Sequence, residues 1–285
     1  MVPAVVAGTA RGRGGDDPGP RRSFLPEPVH DPPVEIAGQV AALDLAASGR
    51  AYLGLSAGAW LDQLGLEQPR PRRTIAEAWE IVSRRLAGDR SGFDGEVFSL
   101  APGSRLAYQP QRRKVPLLVG TWSPGLTAFA AGRADELKLG GSAYPALVRL
   151  TRERLGDGAV GVVAGAVTVV DRDDDRARSW ARREVAPYVA VVATVDPTFD
   201  LDPECVDRIK ERLAAGDVDG AAWLVSDDML DRYALAGTPL GIAEQAEALF
   251  DAGAKRVEFG TPHGIDERAG VELLVGEVAP RLRGV

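Results

Sequence analysis

Residues 159–170, AVGVVAGAVTVV, are the longest apolar run in the chain, and β-branched residues dominate them. A strand with one wet face alternates apolar and polar positions, whereas a strand that is apolar throughout is covered on both faces. The run reads as a fully buried strand. Shorter runs repeat the theme: AYLGLSAG (51–58), LLVG (117–120), ELKLGG (136–141) and RVEFG (256–260). The opening stretch MVPAVVAGTA adds a first short strand over 4–8. Helix-period stretches separate them. Alternation of this kind is the pattern of a parallel sheet with helical crossovers. An open doubly wound sheet and a (β/α)8 barrel both fit, and in either the ligand sits at the carboxyl ends of the strands.

The helices carry their own punctuation. Residues 34–48 place Ile36, Val40, Leu43 and Ala47 on one stripe before Ser48-Gly49 stops them. Thr74-Ile75-Ala76-Glu77 has the form of a capping box, with Ile75, Ala78, Trp79, Val82 and Leu86 behind it. Residues 93–98 read as a short hairpin excursion. Helices are expected over 125–133, 173–194, 203–215, 226–236 and 266–283, and Thr238-Pro239 supplies an N-cap and first-turn proline for another. The tract at 11–27 is rich in Gly, Pro and Arg and reads as a long loop or disordered insert. The whole chain, 1–285, reads as one domain, with 195–236 a helical insertion.

Composition excludes several classes. A net charge of -7 argues against a nucleic-acid or anionic-membrane binder. The single Cys205 forbids an internal disulfide, and two histidines, His30 and His263, leave little room for a zinc site or a Ser-His-Asp triad, so no metal is expected. No apolar run reaches about 18 residues and no signal-peptide pattern opens the chain, so a cytoplasmic protein is expected. Asp171–Asp175 reads as acidic surface at a helix start rather than a cation site, and Arg112-Arg113-Lys114 as a solvated turn rather than a phosphate clamp. His30 reads as a polar loop residue, a weak catalytic candidate beside His263.

The strand exits carry what chemistry there is. They read Ser56-Ala57-Gly58, Gly120-Thr121-Trp122-Ser123, Gly140-Gly141-Ser142 and Gly260-Thr261-Pro262-His263. Glycines let backbone amides approach an anion, hydroxyls add donors, and a following helix contributes its dipole. Turns between strands and helices use Gly and Ser anyway, so one exit means little; four together favour a phosphate-bearing ligand. No G-x-G-x-x-G or P-loop follows a strand. So few acid–base groups point to cofactor chemistry, with the protein supplying the pocket.

In this order the exits resemble the luciferase-like oxidoreductase family, in particular its branch that uses the deazaflavin coenzyme F420 and includes methylenetetrahydromethanopterin reductase. HDPPVEIAGQVAALDLAASGRAYLGLSAG is similar to the family's His-Pro, helix, "LD-x-x-S-x-G-R" and strand. VPLLVGTWSPGLTAFAAGRADELKLGGSA is similar to its "P-x-x-V-G…A-G-x-x-A-D" segment, and VEFGTPHG to its last strand. The resemblance implies a (β/α)8 barrel. It implies that Gly120, Thr121, Ser123, Gly140, Gly141 and Ser142 hold the phosphate-bearing side chain of the coenzyme. It further implies that Trp122 walls the pocket and that Ser56, Gly58, Thr261 and His263 border the ring. Six strands, matching the family's third to eighth, imply a barrel lacking its first two βα units. The implied activity is hydride transfer between F420 and a small organic substrate by a homodimer. An FMN-dependent monooxygenase and a non-catalytic barrel remnant are the alternatives.

Overall fold

The computed structural model describes residues 8–10, 22–24, 32–58, 61, 65–192 and 195–282. In chain order its strands are β1 (Gly8–Ala10), β2 (Arg22–Phe24), β3 (Ala51–Ser56), β4 (Phe93–Asp94), β5 (Ser99–Leu100), β6 (Leu117–Gly120), β7 (Glu136–Gly140), β8 (Gly161–Val170), β9 (Ala234–Gly237) and β10 (Ala254–His263). Its helices are α1 (Pro33–Ala46), α2 (Pro71–Ala87), α3 (Pro124–Ala131), α4 (Pro145–Leu155), α5 (Asp174–Val192), α6 (Pro203–Ala214), α7 (Val218–Trp223), α8 (Asp227–Tyr233), α9 (Pro239–Asp251), α10 (Glu267–Leu273) and α11 (Ala279–Leu282). The chain divides into two compact units, one built mainly of Gly14–Leu137 and one of Lys138–Gly156 with Gly161–Val285, so the division falls inside β7.

In the first unit β2, β3 and β6 run parallel, with Leu53–Ser56 in register against Leu117–Gly120. Helix α1 starts at Pro33, whose missing amide costs nothing in a first turn, and buries Ile36, Ala37, Val40 and Ala41. At the other end of this strand pair, Asp135 donates its amide to the Leu117 carbonyl at 2.8 Å and accepts the Leu117 amide at 2.9 Å. This pins the entry of β6. The excursion at 93–98 is a two-stranded antiparallel hairpin, as its sequence suggested.

Two expectations for this unit are corrected. Helix α2 begins three residues before Thr74, at Pro71, and the Thr74 hydroxyl donates back to the Arg70 carbonyl at 3.0 Å. Glu77 is therefore a mid-helix residue rather than half of a capping box, and its carboxylate accepts the amides of Glu96, Val97 and Phe98 at 2.9–3.0 Å. Burial alone would raise the Glu77 pKa, but those amides and Arg73 outweigh it and hold the carboxyl below its ordinary range. A depressed folded pKa gives stability that is present above the unfolded value and lost as pH falls through the folded one. Glu77→Gln should accordingly cost about 1.5–3 kcal/mol at neutral pH. In urea melts the gap between variant and parent should narrow as pH falls below the ordinary glutamate range and close once pH has fallen through the depressed folded value, where both side chains are neutral. The second correction is Arg112, which is no solvated turn residue: it forks onto the buried Asp44 through Nε at 2.9 Å and Nη2 at 2.5 Å.

In the second unit β8 is buried at all ten positions, as its composition demanded. β10 runs parallel along it from Ala254↔Val162 to His263↔Val169, with irregular register between Gly260 and His263. β9 also pairs β8 in parallel, from Val167↔Ala234 to Val170↔Gly237. β9 was absent from the sequence reading because ALAG is too short and too small to stand out between two helices. The expected first strand over 4–8 falls mostly outside the described residues. What is described, β1, pairs β10 antiparallel, Gly8↔Glu258 to Ala10↔Arg256. Six parallel strands were expected; among the described residues the second unit adds this antiparallel β1 and the parallel β9, and the first adds the short β2 inside the 11–27 tract.

Thr238 caps α9 as expected, accepting the Gly241 amide at 3.2 Å. The acidic run serves structural contacts: Asp173 accepts the Arg176 amide at 3.1 Å in the first turn of α5, and Asp174 accepts the distant Thr238 amide at 3.3 Å. Helices α4 and α7 were not foreseen, and the closing helix is interrupted by a π-turn at Leu274–Val278. Residues 195–236 contain α6, α7 and α8 and are tied down by two neighbours on α8. The Arg232 guanidinium lies 3.9 Å from the Tyr144 ring and 4.2 Å from the Phe199 ring. Tyr233 donates to Asp196 at 3.0 Å, and burial, reinforced by that carboxylate, pushes its phenol above the ordinary range. Among the described residues no helix is long and apolar enough to cross a membrane, and no cluster of His, Cys, Asp and Glu could hold a metal.

Candidate functional site

In the first unit, β3 and β6 bring two of the expected residues together. Ser56 pairs with Gly120 in register, and a Cβ on Gly120 would stand 3.3 Å from the Ser56 Cβ. Gly58 follows at φ 94°, a conformation glycine reaches without strain. Beyond Gly120 the chain turns on Thr121, whose hydroxyl accepts the Ser123 amide at 2.9 Å, past the half-buried Trp122. Ser123 is the N-cap position of α3, yet its side chain makes no cap hydrogen bond. The first-turn amides of α3 therefore lack a side-chain cap, and the exposed Arg72 lies close by, its Cδ 3.6 Å from where a Gly125 Cβ would be. An uncapped helix start with an arginine side chain beside it favours an anion.

The exit after β7, in the second unit, is built differently. Gly141 has φ 80°, and a Cβ there would touch Val192 at 3.5 Å and Tyr188 at 3.6 Å. Its amide and that of Ser142 both donate to the Gly165 carbonyl, at 2.6 and 3.2 Å. The Ala143 amide goes to Arg232, and the Tyr144 amide to the hydroxyl of the buried Ser142. Four consecutive amides are thus committed within the protein. This turn anchors the exit on β8, and Gly140 is left as its exposed edge.

At the end of β10, Thr261 is exposed and His263 adopts φ 74°, rare for a residue with a side chain. Among the described residues His263 Nδ1 is buried without a hydrogen-bond partner and lies 3.9 Å from a Glu267 carboxylate oxygen. A buried polar atom left unsatisfied at a strand exit marks a place where a ligand can complete the bonding. His30, the other histidine considered, lies outside the described residues. The sequence reading passed over a charged group on the strands themselves: Lys138 on β7 with Arg256 and Glu258 on β10. Its signal was a charge at alternate positions within otherwise apolar strands, in ELKLG and RVEFG.

The buried β8, the parallel strands and the helical crossovers define an α/β scaffold of the kind that binds its ligand at the carboxyl ends of its strands. The chain belongs to the luciferase-like monooxygenase family, whose family model matches residues 25–256. It is 30% identical over 272 residues to the 5,10-methylenetetrahydromethanopterin reductase of Archaeoglobus fulgidus, covering 90% of this chain and 81% of that one. It is 26% identical over 296 residues to the F420-dependent glucose-6-phosphate dehydrogenase of Kineococcus radiotolerans, covering 99% and 81%. The coenzyme F420 dependent tetrahydromethanopterin reductase of Methanopyrus kandleri superposes with a TM-score of 0.79 at 24% identity, over 93% of this chain and 84% of that one. The fold is thus the luciferase-like barrel class that the resemblance implied.

Proposed function

We propose that the chain is an oxidoreductase that moves a hydride between coenzyme F420 and a small organic substrate. The observation that carries this is the likeness, along nine-tenths of the chain, to a reductase of the methylenetetrahydromethanopterin type. F420, when bound, supplies a two-electron hydride carrier; the protein binds it, orients it and keeps water from the reacting face.

The residues present fit such a ligand. In the first unit, Ser123 and the uncapped start of α3 suit a phosphate, with Arg72 adding charge. Ser56, Gly58, Gly120 and Thr121 offer small, close surfaces, and Trp122 an apolar wall. In the second unit, the orphaned His263 Nδ1 and the exposed Thr261 are candidate contacts. Gly140, Gly141 and Ser142 act there through shape, since the amides of Gly141 and Ser142 are already committed. A cytoplasmic homodimer remains part of this reading; exposed Leu240, Val271 and Val275 on the second unit's helices support the dimer.

Fluorescence titration with F420 and with FMN tests the proposal. F420 should bind at least about tenfold more tightly, a difference of roughly 1.4 kcal/mol. Tighter FMN binding would move the chain to the monooxygenases, and no binding of either would leave a non-catalytic relative.

A further inference from the structure

On β7 the fully buried Leu137 and Leu139 alternate with Glu136, Lys138 and Gly140, so Lys138 lies on the face away from the leucines. On β10 the same alternation sets Arg256 and Glu258 opposite Val257. Between the two strands β8 presents Gly165, where a Cβ would stand 3.2 Å from the Glu258 Cβ and 3.4 Å from the Lys138 Cε. The missing side chain lets Lys138 cross the strand and pair its ammonium with Glu258. Glu258, 3% exposed, divides its carboxylate between Lys138 and Arg256, the latter at 3.0 Å.

A buried ion pair gives little net stability, because desolvating the charges offsets their attraction. Two apolar side chains bridging Gly165 would hold the sheet equally well, so the charges call for another explanation. Access suggests one. The Lys138 side chain is 24% exposed, and a Cβ built on Gly140 would stand 4.0 Å from its Cε. The exposed Gly140 leaves an opening over the lysine. An ammonium has three donors, and a shared carboxylate does not use them all.

We propose that Lys138 is a ligand-contacting residue: its ammonium, oriented by Glu258, takes an oxyanion that enters past Gly140. This rests on the reading that the β7 exit borders the ligand. The oxyanion comes either from the phosphate-bearing side chain of the coenzyme or from an acidic group of the organic substrate.

Inorganic phosphate is the probe, its affinity measured by thermal shift on the full chain, parent against Lys138→Met, Lys138→Arg and Gly140→Leu. Lys138→Met keeps the stem and removes the charge; Gly140→Leu keeps the ion pair and closes the opening. Phosphate affinity should fall roughly tenfold in Lys138→Met and be largely retained in Lys138→Arg. Where Lys138→Met does not fold, Gly140→Leu decides, with the same loss expected. Phosphate binding that is absent from the parent, or within about twofold of the parent in the deciding variant, overturns the proposal. F420 titration of the same variants separates the sources. A parallel tenfold loss assigns the oxyanion to the coenzyme, and an unchanged F420 affinity assigns it to the substrate. A parent that ignores F420 refutes the proposed function, while the phosphate comparison still judges Lys138.

Discussion

Asp44→Ala is expected to destabilise the protein by about 3–5 kcal/mol, the usual loss when one partner of a buried pair is removed. Asp44 is 1% exposed on the inner side of α1. Its carboxylate holds the Arg112 fork and also accepts the Ala51 amide at 3.2 Å, while Arg112 Nη2 reaches the Ala51 carbonyl at 2.6 Å. One side chain thereby ties the end of α1, the first residue of β3 and the connection before β6. Removing it leaves a half-buried guanidinium without its carboxylate and an unpaired amide at a strand start. Arg112→Lys should cost less than Asp44→Ala but remain measurable, because a point charge cannot reproduce the two-pronged contact. Urea denaturation of both variants checks the ordering; a loss under about 1 kcal/mol for Asp44→Ala would show that water reaches this pair.

How far the sequence could be read follows from what each segment depends on. β8 and α9 were legible because their signals are local: an unbroken apolar run, and a Thr-Pro start followed by a helical stripe. α2 was misplaced because Thr74–Glu77 matches a cap pattern, yet Pro71 already satisfies a helix start and Glu77 is claimed by amides 19 to 21 residues away. Arg112 misled for the same reason, since its partner lies 68 residues earlier. The exits were found as places, but their hydrogen bonding was not. Glycine and serine in sequence say that backbone amides are accessible; whether a carbonyl of the next strand has already taken them, as Gly165 does for Gly141 and Ser142, is decided by register. Lys138 and Glu258 met over a glycine that only the strand pairing identifies.

Gly270→Ala should be strongly destabilising, although helix propensity alone predicts the reverse. Gly270 sits inside α10, where alanine is favoured over glycine by about 1 kcal/mol. The position has no room. A Cβ there would lie 2.5 Å from the His263 carbonyl carbon and oxygen and 2.7 Å from the Gly264 amide nitrogen. The matching Cβ on Gly264 would meet the Gly270 Cα at 2.8 Å, so both partners are glycine for one reason, the seating of α10 on the end of β10. Every atom in the clash is backbone, so no rotamer change relieves it and α10 must move. Overpacking of this kind costs typically 1–3 kcal/mol, with rigid surroundings near the upper end. The steric loss therefore outweighs the propensity gain, leaving a net destabilisation of about 2 kcal/mol. The segment that the added Cβ presses on includes His263, whose left-handed backbone (φ 74°) lies against Gly270, two residues after Thr261. F420 affinity should consequently fall in the protein that remains folded, measured by titration well below the melting temperature. A variant that melts higher than the parent would mean that α10 shifts freely, and His263 would then lose its place among the coenzyme contacts.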